Sequence, residues 1–289
     1  MEAMILAAGG GTRLRPLTDR TPKALLVVRG RPLLAHVMDR LVAAGATRIV
    51  VNVHHHADQI AAFLERHPPP GVEVALSPEP DGPYDTGGGL LAAAPLFRRR
   101  EAFLLHNVDV LSRIPLDALL AAHRAARDGA GDRLVATVAV QARDTNRRLL
   151  FDANGLVGWE NRGADGAVLA SQRVREPVGP LRHRSFTGIH AIEPAVFDLA
   201  ERTGRFSIVT WYLDLAARGY TIHPFDASAH EWLDVGTPER LREAEARGET
   251  ASHSRRLCVY ASRISTRREP WPSRPGDRIL GRPCSPSPR

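Results

Sequence analysis

The sequence predicts an α/β fold, with a Rossmann-like, mostly parallel mixed sheet flanked by helices and a smaller antiparallel subregion. Apolar runs alternate with amphipathic segments through the first half of the chain, which is the pattern of successive strand and helix units around a parallel sheet. From about Gln141 short strands alternate instead with glycine-rich polar stretches such as Asn161 to Gly166. That change favours antiparallel strand pairs in the second half.

The elements of the first half follow in order from the spacing of apolar residues. The first helix is predicted at Arg31 to Ala44, where apolar residues recur on one helical face and Gly45 ends the run. The same criterion predicts helices at Ala57 to Arg66, Leu90 to Phe97 and Leu116 to Arg127. Short apolar or β-branched runs predict buried strands at Met4 to Ala8, Arg48 to Val53, Val72 to Leu76, Ala102 to His106 and Arg133 to Val140.

Composition limits the classes of protein to consider. Of the 289 residues 43% are hydrophobic, which is enough for a packed core. The net charge of +7 belongs to the last 40 residues, which carry nine Arg and two acids, so the body is neutral and no nucleic-acid partner is expected. The chain is expected to divide into a folded domain at residues 1–245 and an Arg, Pro and Ser rich tail at 246–289, predicted to be disordered.

Targeting signals and cysteines add little. No apolar run approaches the roughly 20 residues that a membrane span needs, and the N-terminus has no signal-peptide pattern, so a cytoplasmic protein without a membrane partner is expected. Both cysteines, Cys258 and Cys284, lie in the tail. Neither a disulfide framework nor a thiolate zinc site can therefore organise the body of the fold.

A glycine-rich turn follows the first strand, in the run Leu6-Ala7-Ala8-Gly9-Gly10-Gly11-Thr12-Arg13-Leu14. Glycine lets backbone N–H groups approach phosphate oxygens closely because it has no Cβ, so the turn is interpreted as a phosphate loop. A turn with no ligand is the alternative. Spacing excludes two known motifs: the Walker Gly-Lys-Ser/Thr is missing, and the dinucleotide fingerprint needs a small residue where Leu14 stands.

Lys23 is the only lysine in the chain, against 38 arginines. A sequence with this bias toward Arg is expected to keep Lys where a compact ammonium is required, as in a crowded phosphate site where a planar guanidinium would clash. A surface lysine kept by chance is the alternative. Together, Arg13 and Lys23 would neutralise a triphosphate.

This glycine run, continued by Pro16-Leu17-Thr18 and Thr21-Pro22-Lys23, resembles the signature of sugar nucleotidyltransferases. That family includes the mannose-1-phosphate guanylyltransferases and the N-acetylmuramate-1-phosphate uridylyltransferases. The likeness extends over about Met1 to Glu245. It implies that the glycine loop and Arg13 hold the triphosphate, and that Lys23 contacts the phosphates near the bond being made.

Two acids are expected to hold Mg²⁺, because nucleotidyl transfer needs a divalent cation and Mg²⁺ is bound by a few carboxylates plus substrate phosphates. Asp109 ends a strand at the carboxyl edge where open α/β sheets bind ligands, and Asp234 precedes a predicted helix. Each alone is also typical of a turn. The resemblance implies that they are the family's metal-binding pair, with Asp109 catalytic beside Arg13 and Lys23, and with Val108 in place of the usual glycine.

A second glycine run, Asp85-Thr86-Gly87-Gly88-Gly89, precedes a predicted helix and offers adjacent backbone donors and a Thr hydroxyl. A glycine turn without function is the alternative. The resemblance implies that Thr86, Gly87 and Gly88 lie against the base and ribose, with Glu79 at the preceding strand end. This run resembles the muramate uridylyltransferases, whereas Leu149 to Trp159 resembles the guanylyltransferases, so the base stays open.

The acceptor side is carried by Phe186-Thr187-Gly188-Ile189-His190, which resembles the family's sugar-contacting strand. The resemblance implies an acceptor-binding subregion here, with contacts from Asn107, Thr187 and Gly188; a β-bulge glycine is the alternative. Many members carry a Glu-Lys-Pro whose Lys binds the sugar phosphate. The run Arg173 to Pro177 has no such Lys, and whether Arg175 replaces it is left open.

His54-His55-His56 is interpreted as a solvated loop, since its spacing does not aim three rings at one ion.

The resemblance implies a mannose-1-phosphate guanylyltransferase-like enzyme that makes a nucleotide sugar and pyrophosphate from a nucleoside triphosphate and a sugar 1-phosphate. The alternatives are an N-acetylmuramate or hexosamine-1-phosphate uridylyltransferase and a non-catalytic nucleotide-binding relative. A homo-oligomer is left open.

Overall fold

The computed structural model describes residues 1–247. Within that range six α-helices form: α1 (Leu33–Ala43), α2 (Ala57–Arg66), α3 (Asp85–Ala92), α4 (Leu116–Ala130), α5 (Ile208–Ala217) and α6 (Pro238–Ala246). The strands of the same range are β1 (Glu2–Leu6), β2 (Val27–Val28), β3 (Arg31–Pro32), β4 (Arg48–Val53), β5 (Glu73–Pro78), β6 (Phe103–Asn107), β7 (Val110–Ser112), β8 (Leu134–Gln141), β9 (Arg147–Asp152), β10 (Gly155–Arg162), β11 (Val168–Arg173), β12 (Arg182–Ile192), β13 (Thr221–Asp226) and β14 (Trp232–Asp234).

The first half forms the parallel part of the sheet. β1 pairs in parallel with β4 on one side and β6 on the other, and β5 extends the sheet beyond β4. The carboxyl ends of these strands therefore meet along one edge of the sheet, where open α/β folds bind ligands.

The second half adds antiparallel strands. The long strand β12 pairs antiparallel with β6, β8 and β9, and β9, β10 and β11 continue as an antiparallel meander. β13 returns in parallel beside β8. The predicted mixed α/β sheet with an antiparallel subregion is confirmed.

The core lies on both faces of the sheet because side chains alternate along each strand. In β1, Met4 and Leu6 pack on the face covered by α3 and α5, whereas Ala3 and Ile5 pack on the face covered by α1, α2 and α4. Helices on both faces leave the carboxyl edge of the parallel strands as the accessible part of the sheet.

Predicted and observed boundaries coincide for β4 and α2 and differ where backbone groups find other partners. β1 ends at Leu6, two residues before the predicted end at Ala8, and the Ala7 N–H donates to Asn52 Oδ1. The helix predicted at Leu90 to Phe97 begins earlier, at Asp85. It ends before Pro95, which has no N–H to continue the helical hydrogen bonds.

No helix among residues 1–247 is both long and apolar enough to cross a bilayer. The predicted tail at 246–289 lies outside the described residues apart from its first two positions, and so do both cysteines.

Candidate functional site

A cleft opens at the carboxyl ends of β1, β4 and β6. Most of the residues that the sequence singles out for the nucleotide, the acceptor and the metal line it: Leu6, Ala8, Gly9, Gly11, Thr12, Arg13, Lys23, Glu79, Thr86, Asn107 and Asp109. The other lining residues are Asn52, Pro83, Asp85, Val108 and Gly236. The cleft therefore joins segments that are more than 200 residues apart in the chain.

The glycine loop contains two kinds of glycine. Gly11 has φ +60°, and a Cβ there would lie 2.7 Å from Thr18 Cγ2, so its own chain requires glycine. The Gly11 carbonyl accepts hydrogen bonds from Leu14 N and from Thr18 Oγ1. Gly9 lines the cleft with nothing within 4 Å of where a Cβ would be. Only an incoming ligand would meet a side chain at that position.

Lys23 begins a short 3-10 turn after Pro22 and is 9% exposed. Its Nζ forms an ion pair with Asp109 Oδ2. A buried ammonium next to a carboxylate has little desolvation left to lose when a phosphate binds, and its charge is aimed at the cleft. The structure thus brings together two of the three residues predicted to be catalytic.

Asp234 reaches the same place through a small antiparallel ladder. β14 ends at Asp234 and pairs with β7, which begins directly after Asp109. The Val235 N–H donates to the Asp109 carbonyl at 2.7 Å. Arg13 lies close to Asp234, with Gly236 between them. A Cβ at Gly236 would be 2.7 Å from Asp234 Oδ1 and 2.9 Å from Arg13 Nη2. Arg13 and Asp109 line one end of the cleft together with Gly236, and Asp234, whose Oδ1 is buried, lies directly beside them.

The electrostatics of Asp234 suit a bound cation. Its Oδ1 is buried and has no hydrogen-bond partner. Burial, followed by the neighbouring Asp109, raises the pKa of Asp234, although Lys23, Arg13 and Arg240 oppose the shift. A buried carboxylate oxygen with no donor is the kind of atom that a metal ion satisfies.

Within residues 1–247 no three or more His, Cys, Asp or Glu side chains come together as metal ligands. The pair Asp109 and Asp234 therefore stays a predicted Mg²⁺ site, in which substrate phosphates and water would have to complete the coordination.

Sequence reasoning missed Asn52. Its Oδ1 accepts from Ala7 N at 2.6 Å, and its Nδ2 donates to Glu79 Oε1 at 2.7 Å, while Glu79 Oε2 accepts from Tyr84 N. This buried network connects the glycine loop to the segment that leads into α3. The available signal was a polar residue within the apolar run of β4, Ile-Val-Val-Asn-Val.

The second glycine run is packed inside the first turns of α3. The amides of Gly87 and Gly88 both donate to the Phe206 carbonyl, and a Cβ at Gly88 would lie 2.1 Å from the Gly204 oxygen. The Thr86 Oγ1 accepts from Ile208 N at 2.9 Å and still lines the cleft. The contacts of Gly87 and Gly88 with a base stay a prediction, whereas their packing needs glycine in any case.

On the acceptor side, Gly188 has φ +79° and lies against the Asn107 side chain, whose Nδ2 is 2.6 Å from where a Cβ would be. The Thr187 hydroxyl donates to the Ala139 carbonyl at 2.7 Å, and the Thr187 carbonyl accepts from Trp232 Nε1. Asn107 is among the residues that line the cleft, whereas Thr187 and Gly188 are not, so their contacts with an acceptor stay a prediction.

Arg175, whose role was left open, is occupied elsewhere. Its Nη1 and Nη2 form a bidentate pair with the fully buried carboxylate of Asp152, at 2.7 and 2.6 Å. It also donates to the carbonyls of Leu156 and Gly155. An Arg engaged in this way stabilises the β9–β10 hairpin and is not free for a sugar phosphate.

The three consecutive histidines hold backbone. His54 bonds to the Glu79 carbonyl, His55 to the Thr18 carbonyl and His56 to the Asp19 carbonyl. Each ring therefore has its own partner. The His55 and His56 bonds attach the segment after the glycine loop to the turn before α2.

Comparisons with known proteins give consistent results. The sequence model of the family described as Nucleotidyl transferase matches residues 2–250. An N-acetylmuramate alpha-1-phosphate uridylyltransferase of Neisseria meningitidis serogroup B is 35% identical over 248 residues, covering 85% of this chain and 97% of the relative. A mannose-1-phosphate guanyltransferase of Candida albicans is 30% identical over 241 residues, covering 83% of this chain but 62% of the relative.

Among solved structures, a putative glucose-1-phosphate thymidylyltransferase from Bacillus anthracis aligns with a TM-score of 0.65 at 20% identity, covering 88% of this chain and 98% of that chain. The inositol-1-phosphate CTP transferase from T. maritima aligns with a TM-score of 0.64 at 20% identity, covering 86% of this chain and 96% of that chain. At these identities the likeness shows the shared fold.

Proposed function

The chain belongs to the nucleotidyl transferase family, and on that premise we propose that it joins a nucleoside triphosphate to a sugar 1-phosphate, forming a nucleotide sugar and pyrophosphate. The observation that carries the proposal is the convergence of Lys23, Asp109, Asp234 and Arg13 beside a cleft that the glycine loop helps to line. Cations beside two acids suit a reaction between two phosphate-bearing substrates.

The reaction is a displacement at phosphorus. A phosphate oxygen of the sugar 1-phosphate attacks the α-phosphorus of the triphosphate, the new P–O bond forms, and the bond to the β-phosphate oxygen breaks to release pyrophosphate. The attacking group is already an anion at neutral pH, so no general base is needed. Catalysis then rests on positioning and charge neutralisation.

Seven residues in or beside the cleft have roles in that displacement. Gly9 permits close approach of the triphosphate, Arg13 and Lys23 neutralise its charge, and Asn52 with Glu79 keeps the glycine loop in place. Asp109 and Asp234 would hold Mg²⁺, and the unpartnered Asp234 Oδ1 supports that assignment. The metal, when bound, supplies charge neutralisation on the triphosphate and the leaving pyrophosphate.

For the base, we propose UTP with an N-acetylated hexose 1-phosphate such as N-acetylmuramate 1-phosphate. The support is that this chain spans nearly the whole length of the uridylyltransferase relative, whereas it spans less than two thirds of the fungal guanyltransferase. GTP with mannose 1-phosphate is the second candidate, because the fungal guanyltransferase aligns with about as much of this chain as the uridylyltransferase does.

A substrate matrix tests the proposal. The purified full chain is incubated with each of UTP, GTP, CTP, ATP and dTTP against mannose, glucose, N-acetylglucosamine and N-acetylmuramate 1-phosphates, with Mg²⁺, and pyrophosphate release is measured. UTP with N-acetylmuramate 1-phosphate is expected to give the highest kcat/KM. Nucleotide binding without pyrophosphate from any pair would instead identify a non-catalytic relative and refute the proposal.

A further inference from the structure

Arg143 occupies a fixed position just after β8, beside β12, the strand that carries the predicted acceptor residues Thr187 and Gly188 and is here called the acceptor strand. Ser185 Oγ donates to the Arg143 carbonyl at 3.1 Å, and the Ala142 N–H donates to Ser228 Oγ at 2.8 Å. The backbone on both sides of Arg143 is therefore tied to other elements. Its side chain starts from a defined point and extends toward Trp232.

In the described part of the chain, the guanidinium of Arg143 is held by an aromatic ring and a backbone carbonyl and not by an ion pair with a carboxylate. Its Cζ lies 3.7 Å from the centroid of the Trp232 ring, and Nη2 makes one long hydrogen bond of 3.3 Å to the Phe186 carbonyl. Its Nε is buried and unpartnered, and the carboxylate that acts on it electrostatically within residues 1–247, Asp234, does so without a direct hydrogen bond. Stacking on an aromatic face orients a guanidinium while leaving most of its N–H donors unused.

This position lies between the acceptor strand and the acids of the cleft. Trp232 and Asp234 are two residues apart in β14, so their side chains share one face of that strand. Trp232 Nε1 also donates to the Thr187 carbonyl at 2.8 Å. Arg143, packed on Trp232, is close enough to Asp234 and Arg240 to interact electrostatically with both.

The proposed reaction needs a cation on this side. It brings a phosphate monoester dianion up to a triphosphate, and the two anions repel each other unless the acceptor phosphate has positive charge of its own. Lys23 is the only lysine of the chain and is paired with Asp109, and Arg175 is engaged with Asp152. A guanidinium with free N–H groups is suited to bind phosphate oxygens in a bidentate manner.

We propose that Arg143, stacked on Trp232, binds the phosphate group of the sugar 1-phosphate and presents it for attack. This inference rests on the proposed function and adds the residue that recognises the acceptor phosphate. It also gives Trp232 a role, since the ring orients the guanidinium and holds the acceptor strand through Thr187. The sugar-phosphate site is thereby assembled from β12, β14 and the loop after β8.

The test is steady-state kinetics of the Arg143→Ala variant with the best substrate pair from the matrix. The KM for the sugar 1-phosphate is expected to rise about 10- to 100-fold, the loss typical of hydrogen bonds to a charged group. The KM for the nucleoside triphosphate is expected to stay within about twofold, because Arg13 and Lys23 are untouched. Arg143→Lys should restore part of the loss, since it keeps the charge but loses the planar fork.

Arg113→Ala is the matched control, because it removes an exposed guanidinium paired with Glu231, the neighbour of Trp232 in the chain. It should leave both KM values unchanged. An unchanged sugar-phosphate KM in Arg143→Ala, or a rise confined to the triphosphate KM, would overturn the inference while the proposed function stands. Absence of product from every pair in the wild-type matrix would refute the proposed function itself, and this inference with it.

Discussion

The glycine loop offers a sharp test, because its glycines are required for different reasons. Gly11 is required by its own chain: it has φ +60°, and a Cβ would lie 2.7 Å from Thr18 Cγ2. Gly9 has an ordinary backbone conformation, and no atom of the protein lies within 4 Å of the point that a Cβ would occupy. If Gly9 is glycine only because a phosphate approaches there, Gly9→Ala should lose triphosphate affinity and keep its stability, whereas Gly11→Ala should lose stability.

The magnitudes follow from the geometry. In Gly11→Ala, a left-handed conformation costs about 1–2 kcal/mol and overpacking against Thr18 about 1–3 kcal/mol. Each kcal/mol corresponds to about 2–4 °C in a chain of this size, so Tm should fall by roughly 4–20 °C. Gly9→Ala should change stability by no more than about 0.5 kcal/mol, as an exposed substitution with free space. Its KM for the triphosphate should rise about 10- to 100-fold, since the methyl group keeps phosphate from the amides.

The assays are thermal unfolding without ligand and steady-state kinetics against the triphosphate, with the sugar 1-phosphate saturating. Protection by the triphosphate gives a third readout, because a ligand that binds the native state raises Tm by an amount that grows with the logarithm of its concentration divided by its Kd. Gly9→Ala should lose that protection while keeping the unliganded Tm. A Gly9→Ala protein with normal triphosphate affinity, or with a Tm as low as that of Gly11→Ala, would refute the assignment of this loop to phosphate.

Four further predictions concern the acids and the partner of one of them. Asp109→Asn and Asp234→Asn should each lower turnover by about 100-fold or more, measured by pyrophosphate release. Asp234→Asn should also unfold at a higher temperature than wild type without metal, with the gain larger at pH 7 than at pH 4. The reason is that burial and Asp109 raise the pKa of Asp234, so its ionised form destabilises the fold as pH rises. Turnover equal to that of wild type would contradict the first prediction, and a lower Tm of Asp234→Asn would contradict the second. At Asp152, burial is outweighed by Arg175 and two backbone amides, which lower the pKa to about 2. Ionised Asp152 should therefore contribute about 2 kcal/mol of stability that is present at pH 4 and is lost as the pH falls to 2, measured by denaturant unfolding. Arg175→Ala should lose stability by about 3–5 kcal/mol at neutral pH with an unchanged sugar-phosphate KM, and a raised KM would return Arg175 to the acceptor site.

The order of strands and helices was largely readable from the sequence, because burial on one face or both leaves a periodic trace. The strand at Arg48 to Val53 and the helix at Ala57 to Arg66 have the predicted bounds. The start of α3 was not readable, since Gly87, Gly88 and Gly89 are poor helix formers. These positions nevertheless require glycine, because Phe206, Gly204, Asn52 and Glu79 fill the space that side chains would occupy.

The candidate site was readable where a short motif carries its own chemistry. Lys23 stood out by composition, and the glycine loop by its place after the first strand. Asn52 and Arg143 did not stand out, because an isolated Asn in a strand or one Arg among 38 has no local signature. Their roles depend on partners 27 residues away for Asn52, at Glu79, and 89 residues away for Arg143, at Trp232.

By itself, the sequence determined the α/β class, the glycine-rich turn after the first strand and the kinds of side chain available to the candidate site, since each depends on local periodicity or on the chemistry of a few adjacent residues. Only the tertiary structure decided that Asp109 and Asp234 share one end of the cleft, through the pairing of β7 with β14, and that Arg175 is engaged with Asp152. Such choices depend on which strands pair and which charges are buried together. No interaction between neighbouring residues in the chain specifies them.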